Sequence, residues 1–160
     1  MKMNRQCGNC KACCEGWLNA EIDGHKMSAG TPCIHCTETG CAIYPTRPVD
    51  PCREFNCGWL QEDSPLPEHL KPNNSDVIVL LDRKWKGKKV IVAVPAGKKI
   101  PDESLEWLMG YTRKTSIPLI FYERIEENGI FTGKTRRGYG PPSFLRAVKT
   151  ELIPEDITKL

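Results

Sequence analysis

Residues 7–14 read CGNCKACC, four cysteines in eight positions, and five more follow at Cys33, Cys36, Cys41, Cys52 and Cys57. The spacing divides them into Cys7-x2-Cys10-x2-Cys13-Cys14 and Cys33-x2-Cys36-x4-Cys41-x10-Cys52-x4-Cys57. Two intervening residues let the backbone turn so that both sulfurs converge on one ion, with zinc–sulfur bonds near about 2.3 Å. Three such steps occur, at Cys7/Cys10, Cys10/Cys13 and Cys33/Cys36. Cys13 and Cys14 are different, because neighbouring side chains diverge in both helix and strand. Either they feed two neighbouring sites, or one is a ligand while the other packs or stays free. Eight thiolates fill two four-coordinate sites and leave one spare. Cys7 or Cys33, at the outer edges of their groups, are the candidates for that spare. Sulfur-rich coordination selects zinc or iron, including an iron–sulfur cluster, over magnesium or calcium. The spacing matches neither ferredoxin pattern, so the metal stays open.

Disulfides explain the nine cysteines poorly. The number is odd, all lie between Cys7 and Cys57, and the start MKMNRQCGNC has no apolar stretch of the kind that directs secretion. A cytoplasmic, reducing setting is the expectation. Hydrophobic residues make up 39% of the 160-residue chain and charged ones 27%, the balance of a folded, non-membrane protein. The formal net charge of +3 counts thiols as neutral. Eight metal-bound thiolates and two divalent ions would bring it to roughly −1, so the charge does not argue for nucleic acid. No membrane partner is expected, and other partners are not legible.

The elements that must position these cysteines change character near residue 60. Upstream, Gly, Pro and short polar stretches interrupt the cysteines, and little apolar periodicity is visible. Such a segment cannot bury enough surface to fold alone, and metal crosslinks would supply the order. The expected organisation is a Cys-rich metal-binding module over 1–61 and a proline-rich connector over 62–75. An α+β region over 76–160 packs on the module to make one compact unit. Within the connector, Glu68 to Leu70 has room for one helical turn at most. Runs 76–82 and 89–95 are β-branched and flank a Lys/Gly-rich turn, a hairpin. Pro101 and Asp102 signal a helix start, and Leu105, Leu108 and Met109 at i, i+3 and i+4 form an apolar stripe. Residues 118–134 read as strand, a turn at Asn128-Gly129, and strand, and 143–152 as a short closing helix. The fold class is α+β, with an antiparallel sheet and one or two helices behind the metal-organised module.

CGNCKACC followed by CAIYPTRPVDPCREFNC resembles the YkgJ-type CxxCxxCC cysteine-cluster family, whose members are described as zinc- or iron-chelating. The residues that carry the resemblance are Cys41, Ile43, Tyr44, Arg47, Pro48, Cys52, Arg53 and Phe55, together with the opening cysteines. One departure is the three residues Val49 to Pro51 between Pro48 and Cys52, where two are common. The match covers about residues 7–60. It implies metal chelation by Cys7, Cys10, Cys13, Cys14, Cys33, Cys36, Cys41, Cys52 and Cys57. Some relatives resemble flagellin lysine N-methylases, which makes an iron–sulfur-dependent transferase or redox enzyme one alternative, although no glycine-rich strand–turn–helix for S-adenosylmethionine is visible. A zinc–thiol redox sensor is another.

Arg47 and Arg53 flank Cys41 and Cys52, where guanidinium groups can offset thiolate charge. The competing reading is a salt bridge from Arg53 to Asp50 or Glu54, with Tyr44 and Phe55 as core. His35 is a candidate substitute ligand or a surface loop residue, and His25 and His69 have no ligand-like company. Trp59 either packs in the core or shields the cysteines from water. Lys134 to Gly140 reads as a solvated basic loop with an aromatic, a candidate phosphate contact. Gly133-Lys134-Thr135 lacks the first glycine that a P-loop needs. No catalytic constellation emerges.

Overall fold

The computed structural model describes residues 4–150. Its largest element is a four-stranded sheet in the order β5-β6-β7-β8, formed by Val77–Trp85, Lys88–Pro95, Leu119–Glu127 and Ile130–Tyr139. The β-branched run Val77–Leu80 is buried on both faces, as is Val90–Val94 in the neighbouring strand. Near-continuous apolar runs of this kind mark strands covered on both sides. The β5–β6 turn falls at Lys86-Gly87 (φ +50° and +76°) and the β7–β8 turn at Asn128-Gly129 (φ +52° and +79°). Paired positive φ angles are what a two-residue hairpin requires.

The α+β class holds, with one refinement. β6 and β7 are parallel, with Val92 facing Ile120, whereas the other two pairings are antiparallel. A parallel neighbour requires the chain to travel back along the sheet, and helix α2 (Asp102–Thr115) makes that return. Leu108 is fully buried on α2, with Ser104 and Thr112 one turn to either side. Leu105 and Met109 pack at the edge of the core, so the inward stripe centres on Leu108. Helix α3 (Pro142–Lys149) covers β8 with Phe144, which meets Trp85 edge to face at 5.3 Å. Residues 151 and 152 of the expected closing helix, and the rest of the chain to 160, lie outside the described residues.

A second correction concerns 134–139. These residues are the second half of β8, because Gly133 to Tyr139 pair with Ile125 to Leu119 along the whole ladder.

The cysteine-rich segment holds only short elements. Hairpin β1–β2 pairs Ala20–Ile22 with His25–Met27 around Asp23-Gly24, and β3–β4 pairs Cys36–Thr37 with Gly40–Cys41. Its own apolar cluster consists of Ile22, Met27 and Cys33. Ala12, Leu18, Cys57 and Trp59 instead join the core of the sheet. Gly58 sits so close to β5 that a Cβ would meet Leu81 Cγ and the Val79 carbonyl oxygen at 2.8 Å. From the sheet side, Arg124 of β7 donates to the Trp17 carbonyl (2.8 Å). Within 62–75, Leu66 and Leu70 are 1% exposed, which draws this stretch into the same core. Glu68–Leu70 forms a 3-10 turn and Pro72–Ser75 (α1) one turn of helix.

Candidate metal centre

Cys13 and Cys14 open a tight, irregular turn over Cys13–Trp17, which reverses at Gly16 with φ +95°. A Cβ on Gly16 would lie 2.1 Å from the Ser28 carbonyl oxygen, so only glycine lets the turn approach the β2 loop. The turn sends the two adjacent thiols to different company. Burial pushes the Cys13 thiol well above its ordinary value, and its sulfur neighbours are Cys57, Cys14, Cys10 and Cys7. Burial pushes Cys14 up to about 12, and the charges it feels are those of Cys41, Cys36, Cys33 and Cys52. By the charges they feel, Cys13 sides mainly with Cys7, Cys10 and Cys57, although Cys14 acts on it too, and Cys14 sides with Cys33, Cys36, Cys41 and Cys52. Sequence spacing placed Cys57 with the later cysteines; the chain returns it to the first.

Local backbone geometry supports both groups. The Cys10 amide donates to the Cys7 carbonyl (2.9 Å) and the Cys36 amide to that of Cys33 (2.9 Å), so both Cys-x2-Cys steps are closed turns. The Cys33 amide donates to the Cys14 carbonyl (2.8 Å), which ties the start of the second group to the first turn. The His35 amide points at Cys33 Sγ (3.5 Å), and the backbone amides of Leu60 and Trp59 act on Cys57. N–H donors aimed at sulfur favour its anionic form.

All nine cysteines are free thiols. Burial is also the first cause of the raised values at Cys7, Cys36, Cys52 and Cys57. Arg47 opposes the rise at Cys7 and at Cys52, one member of each group, while Lys71 opposes it at Cys7 and Lys11 at Cys36. Lys11 lies inside the Cys10-x2-Cys13 step, whereas Lys71 stands outside every cysteine motif and carries no sequence signal.

A cavity of about 200 Å³ opens between the groups, and eight of the nine cysteines line it, Cys36 being the exception. Trp59 forms part of its wall at 3% exposure, with Arg5 (4.7 Å) and Lys71 (5.0 Å) near its ring. Among the described residues, the buried Trp59 Nε1–H has no hydrogen-bond partner. The cysteine side chains are of the type and number that suit a thiophilic ion, but among the described residues no three Cys, His, Asp or Glu side chains stand at ligand distances.

The flanking residues divide between the two readings. Arg47 stacks on the Tyr44 ring at 3.8 Å and donates to the Tyr44 carbonyl (3.1 Å). Arg53 donates to the Arg47 carbonyl (2.8 Å), and among the described residues no ion pair joins it to Asp50 or Glu54. Tyr44 is 47% exposed, so it is not core, whereas Phe55 packs against the core. His35 Nε2 meets Asp23 Oδ2 at 2.7 Å, which engages the histidine outside the sulfur groups. Among the described residues, no helix is long and apolar enough to cross a membrane. Compared with known proteins, the chain matches no family model, no curated relative and no solved structure.

Proposed function

We propose that this chain is a thiolate metalloprotein that holds two ions, zinc or iron, and that the ions organise its N-terminal segment. The first site uses Cys7, Cys10, Cys13 and Cys57. The second uses four of Cys14, Cys33, Cys36, Cys41 and Cys52. Cys36, off the cavity wall, is the surplus thiol in place of Cys7 or Cys33. One observation carries the reading: eight of the nine cysteines line a single cavity, and across it Cys13 and Cys14 feel largely different sets of thiols, each numerous enough for a four-coordinate site. A bound ion would supply crosslinks that the small Ile22–Met27–Cys33 cluster cannot replace. The motif residues that resemble the cysteine-cluster family support the same chemistry. Nine free thiols in one segment also fit a reducing compartment, the cytoplasm. Anaerobic purification followed by metal analysis and an absorption spectrum tests the proposal. About two ions per chain support it, and a metal-free protein with nine titratable thiols refutes it. A brown protein with charge-transfer absorption selects iron–sulfur chemistry and revives the enzyme alternative, and a colourless one selects zinc.

One feature favours redox sensing as a second role. Cys36 and Cys41 face each other directly across β3–β4. The Ala42 amide donates to the His35 carbonyl (2.8 Å), which makes Cys36–Cys41 a non-hydrogen-bonded pair, the closer kind. Such a pair lies within the Cα separation that a disulfide spans. A peroxide oxidant would take two electrons from the two thiols. The S–S bond forms, the O–O bond breaks and two waters leave. Peptide mapping after mild peroxide should find Cys36–Cys41 linked first; a different first pair removes this role.

A further inference from the structure

The ladder between β7 and β8 brings three cations and a tyrosine onto one face. Tyr122 faces Arg136 and Arg124 faces Lys134. Direct partners and alternate residues share a face, so the four form one patch. Lys134 Nζ lies 4.4 Å from the centre of the Tyr122 ring. Tyr122 is 5% exposed and Arg124 8% exposed.

Among the described residues, backbone carbonyls and aromatic rings, not carboxylates, face the charges in this patch. Arg124 spends its donors on backbone: the carbonyls of Pro95, Gly97 (2.7 Å) and Trp17 (2.8 Å). Arg136 donates to the Val148 carbonyl (3.1 Å), and among the described residues its buried Nε has no partner. Among the described residues, no carboxylate forms an ion pair with Arg124, Lys134 or Arg136. Glu123 is opposite Thr135 on the other face, and Glu126 follows beyond the bulge at Ile125/Glu126 without pairing to any of the three. Like charges placed directly opposite on a ladder repel, so the Arg124–Lys134 pairing is unfavourable unless an anion joins it. Burial and the charges of Arg124 and Arg136 lower the Lys134 amine from its ordinary value, which places the three within each other's fields.

We infer that Tyr122, Arg124, Lys134 and Arg136 form a binding site for a small phosphate-type oxyanion on the sheet, separate from the cysteine groups. Lys134 is exposed and gives the anion its entry, half-buried Arg136 supplies a planar donor, and buried Arg124 holds positive charge beneath them. The patch is compact, with one lysine over the Tyr122 ring and two arginines on the same face of the ladder, which suits one tetrahedral dianion better than a nucleic-acid backbone that needs a string of contacts. Trp17, whose carbonyl Arg124 holds, is the last residue of the turn that Cys13 and Cys14 open, so the site abuts the cysteine segment.

The experiment titrates inorganic phosphate into the full chain as isolated, at constant ionic strength set with chloride, and follows backbone amide NMR shifts. Saturable shifts centred on residues 122, 124, 134 and 136 are expected. Lys134→Gln, an exposed substitution, should weaken binding by about tenfold. Arg137→Gln, on the opposite face, should leave it unchanged. Arg136→Gln should remove binding, and Lys134→Gln decides the question if that variant unfolds. Tighter binding of glycerol phosphate than of inorganic phosphate assigns the site to a phosphate monoester, and the reverse assigns it to the free ion. No saturable response to either, equal weakening by Lys134→Gln and Arg137→Gln, or a response to a single-stranded oligonucleotide alone overturns the inference.

Discussion

Replacing Cys13 and Cys14 one at a time separates two sites from one. Cys13 sides mainly with Cys7, Cys10 and Cys57, and Cys14 with Cys33, Cys36, Cys41 and Cys52. Serine is nearly isosteric with cysteine, but its hydroxyl stays protonated at neutral pH and does not replace a thiolate ligand. Cys13→Ser leaves three thiols in its group, below what a closed tetrahedral site needs. Cys14→Ser leaves Cys33, Cys36, Cys41 and Cys52, still four. Metal content should thus fall from two ions to one in Cys13→Ser and stay at two in Cys14→Ser. The double variant Cys14→Ser/Cys36→Ser should return it to one. A structural zinc site is worth about 10–16 kcal/mol of coupled folding in small domains, so its loss should melt the segment around it. In metal-free protein both serines should be nearly silent, within about 1 kcal/mol, because burial already keeps these thiols protonated. The assay is metal analysis by mass spectrometry, with a urea titration of each variant in loaded and stripped form. Two ions retained in Cys13→Ser, or equal loss from both single variants, would refute the partition.

Three further outcomes follow from the packing and the thiol environment. Gly16→Ala drives a Cβ into the Ser28 carbonyl at a positive φ, and urea unfolding should show a loss of about 2–3 kcal/mol; a neutral result would mean that the turn is built differently. Phe144→Ala removes a fully buried ring from the contact between α3 and β8 and should cost about 3–5 kcal/mol by the same measurement. The metal-free protein should weaken in alkali. Cys7, Cys13, Cys14, Cys36, Cys52 and Cys57 are all raised above the ordinary thiol value of 9.0, Cys14 to about 12. Below 9.0 both states are protonated and stability is full. Above it the unfolded chain ionises first, so stability falls by up to about 1.4 kcal/mol per pH unit at the well-buried Cys13 and Cys57, and by less at the more exposed four, where solvent screens the difference. A flat profile across that range in stripped protein contradicts the burial assigned to these side chains.

Some of this architecture is legible in the sequence for local reasons. The β-branched runs around Lys86-Gly87, the Asn128-Gly129 turn and the Pro101-Asp102 helix start each act within a few residues, and the structure has all three. The basic stretch 134–139 misleads because its composition reads as loop. Pairing with Leu119–Ile125 makes it strand, and cross-strand pairing is not visible along one segment. The parallel β6–β7 pair is hidden for a similar reason, since α2 returns the chain to a place that periodicity does not specify. In the cysteine segment, the types and the Cys-x2-Cys turns are legible. The membership of Cys57 in the first group is not, because it depends on Trp59 and Leu60 joining the sheet core. Arg47 stands in a motif and could be singled out, whereas Lys71 reaches Cys7 through the fold alone.

The most direct test of the central claim is an NMR comparison of the freshly isolated chain before and after a strong chelator removes its ions. The amides of residues 7–57 should collapse toward unfolded positions while those of β5, β6, β7 and α2 keep their dispersion. A spectrum that keeps the dispersion of residues 7–57 after every ion has gone would contradict the claim that metal–sulfur bonds hold this segment in place.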